Sequence, residues 1–305
     1  MRAFIFPGQG SQYSGMGRKI LSIFPEGREY IKEAESLIGM DISYLLLDAP
    51  EEELKDTENT QVSVLSTSFL WFKYLEKNNV RPDFVAGHSL GEYSALLSAD
   101  VLSFGEALIL VRERARTMKR FYGKIKGGQG AIIKLPLEKV MEIVKEFKKE
   151  GVVTVAGYNS KSQIVVSGEE RILKKISEVV RSKKGRFIPL KTSLPFHSPL
   201  MQKAEEEFSH FLNRVNFRKP SITYISSVIA EPIEEEERIR EVLISQITKP
   251  VKWIQTVEKL LEMGVNKFIE VGPGRTLTNM GKRDFPNVEF KNVESMISEE
   301  KYERV

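Results

Sequence analysis

The sequence predicts an α/β protein in which a smaller subdomain interrupts a larger one. Two observations carry this prediction. Short apolar runs alternate with helical patterns along the chain, and the middle of the chain orders its elements as β-α-β-β-α-β. The chain has 305 residues, of which 41% are hydrophobic and 29% are charged, so it can bury a sizeable core.

Three short apolar runs predict buried strands in the larger subdomain. They are residues 3–6, 84–86 and 267–271. Each run meets a turn rich in Gly or Pro, and the second run leads into a helical stretch over 90–97. We assign residues 1–125 and 192–305 to this subdomain, which is therefore discontinuous. The acidic run 234–237 within it indicates a solvated helix start or a loop.

The middle of the chain predicts a subdomain of the ferredoxin-like type. Strand-like stretches lie at 130–135, 152–156, 163–167 and 186–190, and helical stretches lie at 137–149 and 169–183. Their β-α-β-β-α-β order is the ferredoxin-like pattern. We therefore predict an inserted subdomain over residues 126–191.

Composition excludes several classes of function. The chain has no cysteine, which excludes disulfides, thiolate metal sites and a cysteine nucleophile. It has three histidines, none in a His-x-x-x-His pair, and no Walker or dinucleotide pattern, so we expect neither a metal nor a cofactor. Lys and Arg total 46 against 42 acidic residues, with both signs interspersed, so we expect no nucleic-acid partner. No apolar stretch suits a signal peptide or a membrane span, which predicts a cytoplasmic protein without membrane association.

The candidate nucleophile is Ser89, in Gly87-His88-Ser89-Leu90-Gly91. A Gly-x-Ser-x-Gly turn between a strand and a helix is the nucleophile-elbow signature, because its glycines allow a sharp turn that exposes the serine hydroxyl. The following helix directs backbone N–H groups and its positive dipole end toward developing negative charge. The alternative is a tight glycine turn with a structural serine.

A serine nucleophile needs a base, and the chain offers three histidines. His88 adjoins Ser89, but adjacent side chains diverge on such a turn, so we expect a structural role for it. His210 lies in a helical stretch of mixed polarity and is expected to be solvated or half-buried. His197 lies between two prolines in 194–201, and a histidine on a rigid loop between domains is the best candidate base. No histidine follows His210, which counts against the Ser, acid, late His order of lipases and esterases.

Helix phase sets one arginine apart. At about 100° per residue, Arg112, Arg116 and Lys119 share one face, whereas Arg114 lies on the opposite, core-facing one. That face also carries Ala107, Leu110, Val111, Met118 and Phe121. A buried guanidinium needs an anionic partner. Two readings stay open: an internal salt bridge, or a clamp for a substrate carboxylate, which a malonyl group has and an acetyl group lacks.

Several blocks of residues resemble the malonyl-CoA:acyl carrier protein transacylase family. The blocks are 6–12, 87–93, Asn159 with 163–168, 195–201, Gln246 with 250–253, and 270–274. They follow one another in order over nearly the whole chain, which is more specific than any one block. The resemblance implies a hydrolase-like larger subdomain with a mostly parallel sheet, and a ferredoxin-like smaller one.

The resemblance also implies catalytic roles. Ser89 would attack the thioester and become malonylated, and His197 would be the general base and then the acid for the leaving thiol. The family has no triad aspartate, so the main-chain carbonyl of Gln246 would orient the histidine. Backbone N–H groups of Gln9 and Leu90 would form the oxyanion hole.

Substrate choice and partners follow from the same resemblance. Arg114 would hold the malonyl carboxylate, and the ring of Phe196 would leave little room for a branched α-carbon. The expected partners are malonyl-CoA and acyl carrier protein, and a monomer is expected. Three alternatives stay open: a serine hydrolase or thioesterase, an acyltransferase with another acyl preference, and a carrier-binding module with an inactive site.

Overall fold

The computed structural model describes residues 1–190 and 194–302. The strands in this part are β1 (Arg2–Phe6), β2 (Phe84–Gly87), β3 (Gly127–Ile133), β4 (Val153–Ser160), β5 (Gln163–Glu169), β6 (Arg186–Pro189), β7 (Thr223–Ser226), β8 (Glu231–Ile233), β9 (Lys267–Glu270) and β10 (Glu289–Asn292). The helices are α1 (Arg18–Ile23), α2 (Gly27–Ile38), α3 (Ile42–Leu47), α4 (Thr57–Lys77), α5 (Gly91–Ser98), α6 (Phe104–Lys119), α7 (Leu137–Phe147), α8 (Glu170–Ser182), α9 (Gln202–Leu212), α10 (Glu236–Ser245), α11 (Trp253–Glu262), α12 (Thr276–Asp284) and α13 (Val293–Tyr302). Short 3₁₀ turns lie at Glu53–Lys55 and Pro199–Met201.

The larger sheet has six strands in the order β10-β9-β1-β2-β7-β8 within the described chain. All neighbours are parallel except β7 and β8. Successive residues of β1 face opposite sides: Phe4 and Phe6 pack into one apolar core, and Ala3 and Ile5 pack into another. Helices therefore cover both faces, as an apolar parallel strand requires. The three strands predicted in the larger subdomain are β1, β2 and β9, at the centre of this sheet.

The smaller sheet is antiparallel, in the order β4-β5-β3-β6, and α7 and α8 pack on one face of it. This is the predicted ferredoxin-like arrangement, so the α/β fold with two sheets is confirmed. Three strands of this sheet are longer than predicted, and β5 ends at Glu169 because its last residues pair with the start of β3. β3 begins at Gly127 because 127–129 pair with the end of β5, and β4 continues through a bulge at Gly157 to Ser160. The predicted boundary at 191 and 192 lies outside the described residues, so the domain division stays a prediction.

A main-chain contact ties the smaller sheet to the larger subdomain beside the site. Tyr158 N donates to Val251 O at 2.8 Å, and Val251 N donates to Ala156 O at 2.9 Å. The contact joins β4 to the segment just before α11. Elements from both sheets therefore meet at one place.

Helix α6 places its arginines as the helix phase predicts. A capping box of Ser103 and Glu106 starts the helix. On the outer face, Arg112 and Arg116 pair with Glu58 of α4, whereas Arg114 is only 2% exposed. The remaining residues of the predicted core-facing stripe are buried.

Two further findings concern the acidic run and the length and polarity of the helices. The acidic run 234–237 is exposed at the start of α10, as predicted. In the part of the chain that the structure describes, every helix is too short or too polar to cross a bilayer.

Candidate active site

Ser89 lies on a sharp turn between β2 and α5, and its φ of +52° is in the left-handed region. The two glycines of the motif make this turn possible. A Cβ on Gly87 would lie 2.0 Å from the carbonyl carbon of Gly91, and one on Gly91 would lie 2.1 Å from Phe6 O. No larger residue fits either position. The strained turn holds the serine hydroxyl at the carboxyl end of the central strands, where open α/β sheets bind ligands.

His197 is the histidine that reaches the serine. Its Nε2 lies 2.9 Å from Ser89 Oγ. Its Nδ1 lies 2.8 Å from Gln246 O and 3.0 Å from Lys249 O. Because both carbonyl oxygens can only accept, Nδ1 carries the ring proton and Nε2 is left to accept the serine proton. The predicted main-chain carbonyl of Gln246 is therefore in place to orient the base.

The protonation state of His197 suits a base at neutral pH. Burial lowers the pKa of His197 to about 4, and the nearby charge of Arg114 acts in the same direction. Hydrogen bonds from Nδ1 to the two carbonyl oxygens oppose this shift but do not outweigh it. The ring is thus neutral at pH 7 and able to take a proton.

The other two histidines lie where the sequence indicates. His88 Nε2 lies 2.9 Å from Asn159 Oδ1, and the ring stands edge-on to Trp253 at 5.6 Å between centroids. It is held in the wall of the site and does not approach the serine hydroxyl as a base. His210 is exposed on α9.

Arg114 lies beside the nucleophile and binds neutral groups. Its Nη1 donates to Gln61 Oε1 at 2.8 Å, and its Nη2 donates to Ser89 Oγ and Gln246 Oε1, both at 3.2 Å. Within residues 1–190 and 194–302, no carboxylate lies at ion-pair distance from the guanidinium. The internal salt bridge considered above is therefore not found. A buried cation without an ion pair, in contact with the nucleophile, is suited to an anionic substrate group.

The two predicted oxyanion donors both line the site. The backbone N–H groups of Gln9 and Leu90 have no hydrogen-bond partner among the described residues. Gln9 follows β1, and Leu90 immediately precedes α5. Two unengaged N–H groups from neighbouring strand ends can bind an oxygen that gains negative charge.

A cavity of about 160 Å³ joins these groups. Its lining residues are Gln9, His88, Ser89, Leu90, Arg114, Met118, Gln129, Ala156, Gly157, Asn159, Val165, Leu190, Phe196, His197 and Val251. Phe196 is 7% exposed, and its carbonyl oxygen accepts a bond from Gln129 Nε2 at 2.9 Å.

In the described part of the chain, no cluster of three or more acidic or histidine side chains could hold a metal ion.

Sequence reasoning missed two glutamines that shape the site. Gln61 contacts Arg114 from the second turn of α4, where it is fully buried, and Gln129 holds the main chain before His197. A glutamine inside an otherwise buried helix was a usable signal, since a buried amide needs partners. Gln129 gave no such signal, because its partner lies far along the chain.

The fold and the site together define a class of protein. A serine placed to act as a nucleophile, a neutral histidine at hydrogen-bond distance from it and two N–H groups free to bind an oxygen suit an enzyme that forms and breaks acyl esters. An acyl transferase domain model matches residues 3–301.

Known proteins narrow this class. The chain is 36% identical over 283 residues to malonyl CoA-acyl carrier protein transacylase of Bacillus subtilis, covering 92% of this chain and 89% of that protein. The crystal structure of malonyl CoA-acyl carrier protein transacylase from Clostridium perfringens has a TM-score of 0.93 at 35% identity, covering 99% of this chain and 98% of that one. A malonyl-transacylase in complex with its type II PKS acyl-carrier protein has a TM-score of 0.91 at 33% identity, with 95% and 94% coverage. The chain belongs to the malonyl-CoA:acyl carrier protein transacylase family, which confirms the resemblance seen in the sequence.

Proposed function

We propose that this chain transfers the malonyl group of malonyl-CoA to the phosphopantetheine thiol of acyl carrier protein, for fatty acid biosynthesis. The names of its relatives support the reaction, and one observation carries the choice of acyl group. The buried guanidinium of Arg114 lies 3.2 Å from Ser89 Oγ and binds only neutral partners among the described residues. A cation in this position suits an acyl group that ends in a second carboxylate.

The first half-reaction loads the enzyme. His197 Nε2 takes the proton of Ser89 Oγ while that oxygen attacks the thioester carbon. The N–H groups of Gln9 and Leu90 hold the negative charge that develops on the carbonyl oxygen. When the tetrahedral intermediate collapses, the carbon–sulfur bond breaks and the leaving thiolate takes the proton from His197. The malonyl group stays on Ser89 as an ester.

The second half-reaction unloads it. The phosphopantetheine thiol of the carrier protein gives its proton to His197 Nε2, and its sulfur attacks the ester carbon. The same two N–H groups hold the oxyanion. Collapse of the intermediate breaks the bond to Ser89 Oγ, which takes the proton back from His197. Coenzyme A leaves before the carrier protein reacts, and the malonyl group stays on Ser89 between the two steps, so the cycle is ping-pong.

Selectivity would rest on two side chains. Arg114 would bind the free malonyl carboxylate, and Phe196 would limit space beside the α-carbon. Replacing Arg114 by Ala is expected to slow Ser89 loading from malonyl-CoA at least about 100-fold, because a charge-assisted bond to the carboxylate is lost. Loading from acetyl-CoA is expected to change far less. An equal loss on both substrates would refute the clamp and favour another acyl preference.

The reaction itself is tested by mass spectrometry. The enzyme is incubated with malonyl-CoA alone and then with holo acyl carrier protein, and the intact masses of both proteins are followed. A malonyl adduct that is absent in Ser89→Ala and that moves to the carrier protein supports the proposal. Release of free malonate without transfer would instead identify a hydrolase, and absence of any adduct would identify an inactive carrier-binding module.

Three further expectations stay predictions. They are a monomeric state, a cytoplasmic location and a reaction without a bound cofactor. Light scattering on the purified enzyme, and activity of enzyme freed of small molecules by gel filtration, measure the first and the third.

A further inference from the structure

Glu92 is a fully buried carboxylate that the reaction above does not use. It lies in the first turn of α5, three residues after the nucleophile. Its Oε1 accepts hydrogen bonds from Tyr224 Oη at 3.0 Å, Ser226 Oγ at 2.9 Å and Ser227 N at 2.6 Å. Within the described residues, no cation lies at ion-pair distance from it. A buried carboxylate with so many donors and no ion pair calls for an explanation.

The other oxygen of this carboxylate leads to the active site through Gln246. Gln246 Nε2 donates to Glu92 Oε2 and also to Ser89 O, the latter at 3.0 Å. Ser89 O can only accept a hydrogen bond, and the same is true of Glu92 Oε2 when the carboxylate is ionised. The amide nitrogen of Gln246 must therefore face both oxygens. The amide oxygen then has to face the other way, toward Arg114 Nη2 at 3.2 Å. Glu92 and Ser89 O together therefore set the orientation of the Gln246 amide, and Arg114 binds the oxygen that this orientation presents.

We propose that Glu92 is a positioning residue for acyl selection, which acts on Arg114 through the side chain of Gln246. It holds the amide so that an oxygen, and not an NH₂ group, meets the guanidinium. Burial raises the pKa of Glu92, and the hydrogen bonds from Ser226, Ser227, Gln246 and Tyr224 oppose that shift. In its ionised form, Glu92 places a negative charge one amide group away from the buried Arg114. This inference rests on the proposed malonyl transfer.

The distance between Glu92 and Arg114 affects how Arg114 can bind a substrate. A carboxylate in direct contact with Arg114 would form a two-bonded pair and occupy the donors that a substrate carboxylate needs. The neutral amide oxygen of Gln246 is a weaker acceptor, so a substrate carboxylate can take its place on the guanidinium of Arg114. Glu92 therefore balances the charge of Arg114 without competing for its hydrogen bonds. The main-chain carbonyl of the same Gln246 orients His197, so clamp and base share one support.

The first test replaces Glu92 by Gln, which keeps size and removes the charge. Ser227 N can only donate, so the new amide keeps its oxygen there and presents its NH₂ to the NH₂ of Gln246. Gln246 then turns, against its bond to Ser89 O, or moves away, and in both cases its amide oxygen is displaced from Arg114. KM for malonyl-CoA is expected to rise at least about 10-fold and Ser89 loading from malonyl-CoA to fall by about 30-fold, the scale of a lost bond to a charged group. Loading from acetyl-CoA is expected to change less than about threefold. Tyr224→Phe is the matched control: it removes one donor to Glu92, leaves the carboxylate on Gln246, and is expected to keep the malonyl to acetyl ratio.

The second test exchanges the two side chains, as Glu92→Gln with Gln246→Glu. The pair keeps its hydrogen bond, but a carboxylate now contacts Arg114 directly, while His197 keeps its main-chain carbonyl. We expect a folded enzyme that loads from acetyl-CoA and has lost its preference for malonyl-CoA. A merely structural role for Glu92 predicts the opposite, namely recovery of malonyl loading, and that result would overturn the inference. So would a single Glu92→Gln variant that folds and loses both substrates equally, or neither.

The wild-type enzyme in the same assay distinguishes a failure of the proposed function from a failure of the inference about Glu92. If wild type forms no malonyl adduct, the proposed function fails. If it forms one and the variants leave the malonyl to acetyl ratio unchanged, the inference about Glu92 fails alone. Where the single variant does not fold, the exchanged pair decides.

Discussion

The nucleophile and its base have similar backbone conformations but reach them by different means. Ser89 has a φ of +52° and His197 a φ of +56°, both in the left-handed region, and their side chains meet across 108 positions of sequence. Ser89 is held chiefly by its own neighbours: the strand before it, the helix after it, and Gly87, whose Cβ would meet the main chain of Gly91. One constraint comes from elsewhere, because Gly91 lies against Phe6 O of β1. Its geometry is therefore mostly local.

The base is held by other parts of the chain. His197 N donates to Ile247 O at 3.0 Å, and its ring bonds to carbonyl oxygens of the same distant segment. The carbonyl just before it is held by Gln129 of β3, in the smaller sheet. The position of His197 is therefore set by contacts between parts of the chain that are far apart in sequence. Changes at the elbow should therefore damage the fold, whereas changes at the base should damage the chemistry and leave the fold intact.

The largest effect is expected when the base is removed. His197→Ala is expected to lower the rate of Ser89 loading from malonyl-CoA by about 10³-fold, because nothing else near Ser89 can take its proton at pH 7. Stopped-flow measurement of coenzyme A release gives this rate. His210→Ala, an exposed histidine on α9, is the matched control and should leave the rate unchanged. A loss below tenfold would show that His197 is not the base.

A change at the elbow is expected to cost stability instead. Gly91→Ala puts a Cβ 2.1 Å from Phe6 O, a main-chain atom that cannot move aside cheaply. We expect a loss of about 3 kcal/mol in the free energy of unfolding, measured by urea denaturation. Gly128→Ala is the control, because no atom lies within 4 Å of the added Cβ, and it should stay within about 1 kcal/mol of wild type. Equal stability of the two variants would show that the close approach of Gly91 to Phe6 O does not constrain the elbow.

The same contrast explains what could be predicted from sequence. The elbow serine was found because a five-residue pattern encodes it, and Arg114 was found because helix phase is regular. The main-chain carbonyl of Gln246 could be named only through the family resemblance, since its distance from His197 follows from how separate elements pack. The roles of these residues stay predictions until they are tested.

Other features were missed for the same physical reason. Gln129 and Glu92 act through partners far along the chain, so no local pattern marks them, whereas Gln61 was marked only by its place in an otherwise buried helix. Strands β7, β8 and β10 were also missed, because each mixes polar and apolar residues within three or four positions and has no continuous apolar run. The extension of β4 past Gly157 depends on pairing with β5, which periodicity in one strand does not reveal.

The pH dependence of loading tests whether the base is buried. Burial lowers the pKa of His197 to about 4, and protonation removes the base, so the loading rate should fall only as pH drops toward that value. Between pH 7 and pH 5 we expect a change of less than about twofold in kcat/KM for malonyl-CoA. An ordinary histidine, with a pKa near 6.5, would lose about 25-fold over the same range. A midpoint near 6.5, in enzyme whose circular dichroism shows it still folded, would mean that the base is not buried as described.

The substitution with the smallest expected effect is at Pro199, one of the two prolines around the base. Because tertiary hydrogen bonds hold His197, the exposed Pro199 should add little beyond stiffening the unfolded chain. Pro199→Ala is expected to cost less than about 1 kcal/mol in the free energy of unfolding and to change the loading rate less than about threefold. Gln129→Leu, which removes the bond to Phe196 O, should cost more on both measures, since it leaves a buried carbonyl without that donor. A larger effect from the proline than from the glutamine would mean that the loop is rigid by itself, and the base would then be as local a feature as the nucleophile.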